Sequence, residues 1–187
     1  MVRRVFLVHG WGGSPEKDWF PWARKTLTEK GFGVVAPEMP ETEHPKIEPW
    51  LNKIKEAVGE PREYDTFVGH SIGCQAILRY LETLPEKQKV GKVILVAPWW
   101  YLTLDANEEQ ADADPWLVQN VNFGKVKVKA GKFITVFSDD DPWVPIKENV
   151  KFFKKNLSPE IVIKKSMGHF TSDEGVNKSP FLLEMLE

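Results

Sequence analysis

The chain has 187 residues, 42% hydrophobic and 28% charged, a length and balance suited to one globular domain over residues 1–187 that buries its own core. A formal net charge of -2 and a pI near 6.1 provide no basic footprint for nucleic acid, and no apolar run approaches the roughly 18 residues that a membrane span needs. Cys74 is the single cysteine, so no intrachain disulfide is expected, and residues 2–4 lead into an apolar run without the features of a secretion signal; the expected setting is cytoplasmic and the expected partner a small molecule.

In chain order, short β-rich apolar runs at residues 5–8, 34–36, 66–69, 93–97, 133–137 and 161–165 alternate with helical patterns at 19–30, 47–58, 74–84 and 146–156, and a last helix is expected from 180 to the end. Gly31 follows Lys30 where a helix C-terminus wants glycine, and Ser179-Pro180 supplies an N-cap with proline in the first turn. Nearly continuous Val, Ile, Leu and Phe in the strands predict an α/β fold, a mostly parallel sheet of about six strands with helices on both faces. Residues 99–130 fit neither pattern. The span is too long for an ordinary loop, which predicts a small cap or a functional insertion.

In an open α/β sheet the ligand site forms beyond the carboxyl ends of the strands, so the residues that follow each strand carry the chemistry. Gly69-His70-Ser71-Ile72-Gly73 lies between an apolar run and a helical pattern and reads as a nucleophile elbow, with Ser71 lifted out on a tight turn. The backbone N–H groups of Ile72 and of Trp11, in the Gly-rich turn after the first strand, are the expected oxyanion hole. Serine is a poor nucleophile until a histidine takes its proton, and that histidine needs a carboxylate to fix its tautomer. Of the four histidines, His70 adjoins the nucleophile and is expected to be structural, His9 to order its turn and His44 to lie on a solvated loop; His169, after the last strand, is left as the base. Asp139, Asp140 and Asp141 run consecutively after the fifth strand, and adjacent carboxylates cannot all face one imidazole; the others are expected to shape the loop through backbone N–H groups. The chain order Ser, Asp, His is that of the α/β-hydrolase triad.

Eight tryptophans stand out. Trp22 and Trp50 sit at helical spacing and read as core, whereas Trp11, Trp99, Trp100 and Trp143 follow strand ends and are expected to wall a substrate pocket. Gly10-Trp11-Gly12-Gly13 does not continue as a dinucleotide loop, since Pro15 stands where glycine is needed and no phosphate-binding lysine follows. No Cys/His cluster has metal-ligand spacing, so neither a metal nor another cofactor is expected.

With His9-Gly10 and its Gly-rich continuation, Trp19-Phe20-Pro21-Trp22, Gly69-His70-Ser71-Ile72-Gly73, Asp140-Asp141-Pro142-Trp143-Val144-Pro145 and Gly168-His169-Phe170, the chain resembles the small serine hydrolases of the retinoblastoma-binding-protein-9 and YdeN-like family, within the α/β-hydrolase superfamily. The likeness spans nearly the whole chain. It implies a compact α/β-hydrolase fold with minimal or no cap and a Ser71–Asp141–His169 triad. Asp141 is preferred over Asp140 because Asp-x-x-Val-Pro follows the triad acid in many α/β-hydrolases. The Leu-x-Cys-x-Glu motif for retinoblastoma-protein binding is absent, because the sole cysteine lies in Gly73-Cys74-Gln75, so that partner is not expected. The expected activity is hydrolysis of a small carboxylic ester or related acyl compound through an acyl-enzyme on Ser71. Amide or thioester cleavage, and a non-enzymatic binding role on the same scaffold, are the alternatives.

Overall fold

Strands buried on both faces sort their side chains by alternation, and β-branched and aromatic residues suit that setting. In the computed structural model the apolar runs form β1 (Arg4–Val8), β2 (Gly33–Val35), β3 (Thr66–His70), β4 (Val90–Val96), β5 (Ala130–Ser138) and β6 (Glu160–Lys164). Every neighbouring pair is parallel, and the strand order across the sheet is β2-β1-β3-β4-β5-β6. The structure describes residues 2–104 and 107–186; residues 105–106 of the expected insertion, and the chain-end residues 1 and 187 of the expected domain and last helix, lie outside the described residues.

Phe6, Val8, Phe67, Val93, Leu95, Phe133 and Phe137 point to one face, where α2 (Ile47–Val58), α3 (Ile72–Thr83), α5 (Phe123–Lys127) and α6 (Ile146–Leu157) cover them. Val5, Leu7, Val68, Ile94, Val96, Ile134 and Val136 point to the other, under α1 (Phe20–Glu29) and α7 (Phe181–Leu186). Burying a Leu, Ile or Phe side chain contributes roughly 1.5–3 kcal/mol, so the two faces hold the sheet between helical layers and leave only its ends to carry chemistry. Among the described residues no helix is long and apolar enough to cross a membrane.

Position in the sheet then decides where the site forms. From β1 the chain leaves to α1 on one face, and from β3 it leaves to α3 on the other. Loops that leave adjacent parallel strands for opposite faces diverge, and the carboxyl edge between them is where a ligand site is expected.

Two departures from the sequence reading concern regular structure. Helix α3 starts at Ile72, directly after Ser71, two residues earlier than its apolar pattern suggests. Within the span 99–130, expected to be irregular, stand α4 (Asn107–Val118) and α5, together with the first residue of β5. Pro115 inside α4 and the absence of an apolar stripe concealed that helix from a pattern reading. Tertiary contacts compensate: Trp116 is fully buried, its indole Nε1–H donates to Pro45 O at 2.9 Å, and its ring packs edge-on against Trp50.

Candidate active site

The corner between β3 and α3 is built by close approach. A Cβ on Gly73 would strike the carbonyl oxygens of Val8 and His9, and one on Gly69 would lie 2.8 Å from Cys74 N. Gly73 therefore lets the turn sit against β1, and Gly69 lets α3 fold back tightly on the end of β3. Ser71 takes φ 52 and ψ −121, a conformation that costs a non-glycine residue about 1–3 kcal/mol and persists only where its surroundings impose it. Here Ser71 N–H donates to Val96 O at 2.9 Å, and Ser71 O accepts from Cys74 N–H at 3.0 Å. Gly10, after β1, comes so close that a Cβ there would lie 3.3 Å from Ser71 Cβ.

Around this corner the two expected backbone donors have the right local character. Ile72 is the first residue of α3, where a helix has N–H groups without intrahelical acceptors and the positive end of its dipole. The turn carrying Trp11 is fixed by Gly12 N–H to Thr42 O at 2.9 Å and Gly13 N–H to Gly10 O at 3.2 Å. Its indole Nε1–H is tied to Glu43 O at 2.8 Å.

The four histidines separate by environment. His9 is buried and donates from Nδ1 to Gly10 O at 2.9 Å while Nε2 accepts Met39 N–H at 3.1 Å, a tautomer assigned from these partners. Desolvation lowers its pKa, and it holds the turn after β1 to the segment after β2. His44 is exposed, with Nδ1 2.8 Å from Asp112 Oδ2 on α4. His70 is buried beside Ser71, and its Nε2–H donates to the backbone oxygen of His169 at 2.7 Å. Burial, reinforced by the charge of His169, pushes its pKa down to about 4. His70 thereby ties the His169 loop to the serine corner, with the two imidazole rings 5.1 Å apart.

His169 sits on that loop with Nδ1 2.8 Å from Asp141 Oδ2, and the two side chains are 8% and 2% exposed. The other Asp141 oxygen accepts the N–H groups of Trp143 and Val144, each at 3.0 Å. Three adjacent aspartates have three different tasks. Asp140 Oδ1 accepts from Ser138 Oγ at 2.6 Å and Gly168 N–H at 2.9 Å, and these bonds lower its pKa. Asp139 Oδ1 accepts Ser166 N–H at 2.8 Å. Asp139 and Asp140 hold the backbone of the histidine loop, and Asp141 holds the imidazole.

The four tryptophans expected at the mouth divide. Trp143 is 39% exposed and meets His169 edge-on with ring centroids 5.0 Å apart, and Trp11 is half-buried in the turn after β1. Trp100 instead stacks on Phe152 at 4.8 Å and meets Phe123 edge-on, so its ring faces are committed to the packing of α5 and α6. Trp99 is 1% exposed, and its indole Nε1–H donates to Ser71 Oγ at 3.3 Å. Of the two expected core residues, Trp50 is fully buried and Trp22 half-buried.

Sequence reasoning missed several supports. Glu174 Oε2 accepts His169 N–H at 2.6 Å and Thr171 N–H at 3.1 Å, a reciprocal cap whose Thr171-x-x-Glu174 spacing was readable. Gln75 and Arg79 lie four and eight residues after Ser71 on a helix whose other side chains from 72 to 81 are buried and mostly apolar. Among the described residues, no cluster of three or more His, Cys, Asp or Glu could hold a metal ion.

Six parallel strands with a serine at the corner after the third define the α/β-hydrolase class of fold. The chain belongs to the serine hydrolase family, whose profile matches residues 5–187. YdeN of Bacillus subtilis (strain 168) is 29% identical over 190 residues, covering 100% of this chain and 95% of YdeN. The crystal structure of that ydeN gene product superposes with a TM-score of 0.89 at 28% identity, over 99% of this chain and 97% of its own. The serine hydrolase RBBP9 of Rattus norvegicus is 29% identical over 174 residues, 91% of this chain and 89% of RBBP9. Est1E from Butyrivibrio proteoclasticus, in a structure with ferulic acid bound, shares the fold alone, with a TM-score of 0.70 at 17% identity over 97% of this chain and 88% of its own.

Proposed function

We propose that this protein hydrolyses small carboxylic esters through an acyl-enzyme on Ser71. The observation that carries the reading is the buried His169–Asp141 pair, at 2.8 Å, tied through His70 to a serine held at φ 52. Ser71 Oγ attacks the acyl carbon while His169 Nε2 takes the hydroxyl proton, then returns it to the departing alcohol. Asp141 keeps the proton of the neutral ring on Nδ1 and stabilises the imidazolium. The N–H groups of Ile72 and Trp11 receive the oxyanion, a function worth on the order of 10²–10³ in rate per donor. Water then attacks the acyl-enzyme with His169 as base.

Trp143, beside His169, and Trp11, in the turn after β1, are the aromatic walls of this reading, and flat rings offer apolar contact area without depth. Short-chain and aryl acyl esters are therefore the preferred substrates. A series of p-nitrophenyl esters tests this: kcat/KM is expected to fall beyond about eight acyl carbons. Rates that climb steadily through long-chain esters would show a deep acyl tunnel and overturn the small-ester reading.

A further inference from the structure

The only hydrogen bond on the Ser71 hydroxyl among the described residues comes from Trp99, whose Nε1–H donates to Oγ at 3.3 Å. The indole is 1% exposed and held on both sides. Its own carbonyl accepts Gln75 Nε2–H at 2.8 Å, and Gln75 Oε1 in turn accepts from Arg79 Nη1. Arg79 Nη2 reaches the carbonyl oxygens of Trp116 and Gln119 at 2.6 and 2.8 Å. Gln75 and Arg79 are spaced by four along α3 and share one face, so a line of hydrogen bonds runs from the carbonyl oxygens of Trp116 and Gln119 through Arg79 and Gln75 to the backbone of Trp99, the residue whose indole donates to Ser71. On the other side Asn149 Oδ1 accepts the N–H groups of Trp100 and Tyr101 at 2.6 and 3.0 Å, clamping the segment that carries the indole.

We propose that Trp99 is a catalytic residue, an indole N–H donor to the serine oxygen that accelerates breakdown of the acyl-enzyme more than its formation. The inference rests on the acyl-enzyme reading of Ser71. An indole N–H only donates, so it takes no proton from the serine and leaves the hydroxyl hydrogen to His169. What changes through the cycle is the acceptor. In the resting enzyme Oγ is a hydroxyl oxygen and already accepts the bond, so little is gained on passing to the transition state of attack. In the acyl-enzyme Oγ is the single-bonded ester oxygen, a poorer acceptor. When water adds to the acyl carbon, giving its proton to His169, the C–Oγ bond then breaks and its electron pair returns to Oγ, which takes the proton from His169. In that step Oγ regains the acceptor strength that it lost on acylation, so the bond from Trp99 strengthens relative to the acyl-enzyme, which is the differential interaction that lowers the barrier to deacylation.

The test is pre-steady-state hydrolysis of p-nitrophenyl acetate by wild type and Trp99→Phe, with fluorophosphonate labelling of Ser71 in parallel. Expected is a burst in Trp99→Phe with an acylation rate within about threefold of wild type, deacylation slowed about 10- to 100-fold, and an acetylated Ser71 peptide accumulating in the mass spectrum. Unchanged deacylation, or equal losses in both half-reactions, would overturn the role of Trp99 while leaving the hydrolase reading intact. A folded wild type that fluorophosphonate does not label would overturn both. Should Trp99→Phe fail to fold, the Trp99 indole N–H resonance of the wild type decides: phosphonylating Ser71 weakens the acceptor and moves this proton upfield, and a fixed or downfield-shifted resonance overturns the role.

Discussion

Among the three aspartates, a single side chain separates holding a loop from holding an imidazole. Asp141→Asn puts an amide where His169 Nδ1 needs an acceptor and favours the wrong tautomer; kcat is expected to fall by about 10⁴. Asp140→Asn keeps an oxygen able to accept from Ser138 and Gly168, and Asp139→Asn one able to accept from Ser166, so both variants should stay within about tenfold of wild type. Steady-state kinetics on the three variants checks the assignment, and a larger loss in Asp140→Asn would shift it by one residue. His70 sets a pH limit. In the unfolded chain it protonates near its ordinary 6.5, but in the folded protein only near 4, because burial disfavours the charge. Between those values the unfolded state binds more protons, so stability falls as pH drops from about 6.5 to about 4, on the order of 3 kcal/mol over the full window. His9 shifts in the same direction and adds to the slope. Urea unfolding across this range should show a shallower pH dependence in His70→Gln, which retains a donor for His169 O; an unchanged slope would contradict the account. At this scale the sequence marks Ser71 and His169 by motif and elimination, while the divided work of the aspartates depends on loop geometry that adjacent identical residues do not encode.

The elements that form by their own periodicity were legible: α2 runs over the expected 47–58, and the strands fall where the apolar runs lie. Helix α4 was not, since Pro115 and the absence of an apolar stripe argue against a helix and its support comes from residues distant in sequence. Arg79 is the chief support. Its guanidinium reaches Trp116 O and Gln119 O on the insertion and Gln75 Oε1 on its own helix, and lies over the rings of Trp100 and Trp116 at 5.8 and 5.5 Å. Desolvation lowers its pKa to about 10, and its Nε is buried without a partner, so the charge itself is costly. Three acceptors left unpaired outweigh that cost. Arg79→Leu is expected to lose about 2–3 kcal/mol in urea unfolding, and a neutral or stabilising substitution would show that the insertion is held by apolar packing alone.

For the whole molecule, the decisive fact is that residues separated by about a hundred positions in the chain emerge at one edge of the sheet. The alternation of strand and helix predicts a parallel sheet with the site at its carboxyl ends, and the structure has that sheet. The placing of β1 between β2 and β3, which sets the turn after β1 beside Ser71, comes from crossover geometry and is invisible to local pattern. The central claim is that this edge makes Ser71 a nucleophile. Fluorophosphonate labelling with peptide mapping tests it most directly. The account predicts stoichiometric modification of Ser71 in folded wild type, none in Ser71→Ala, and sharply slowed labelling in a His169→Ala variant; a folded wild type that stays unmodified, or is modified at another serine, would contradict it.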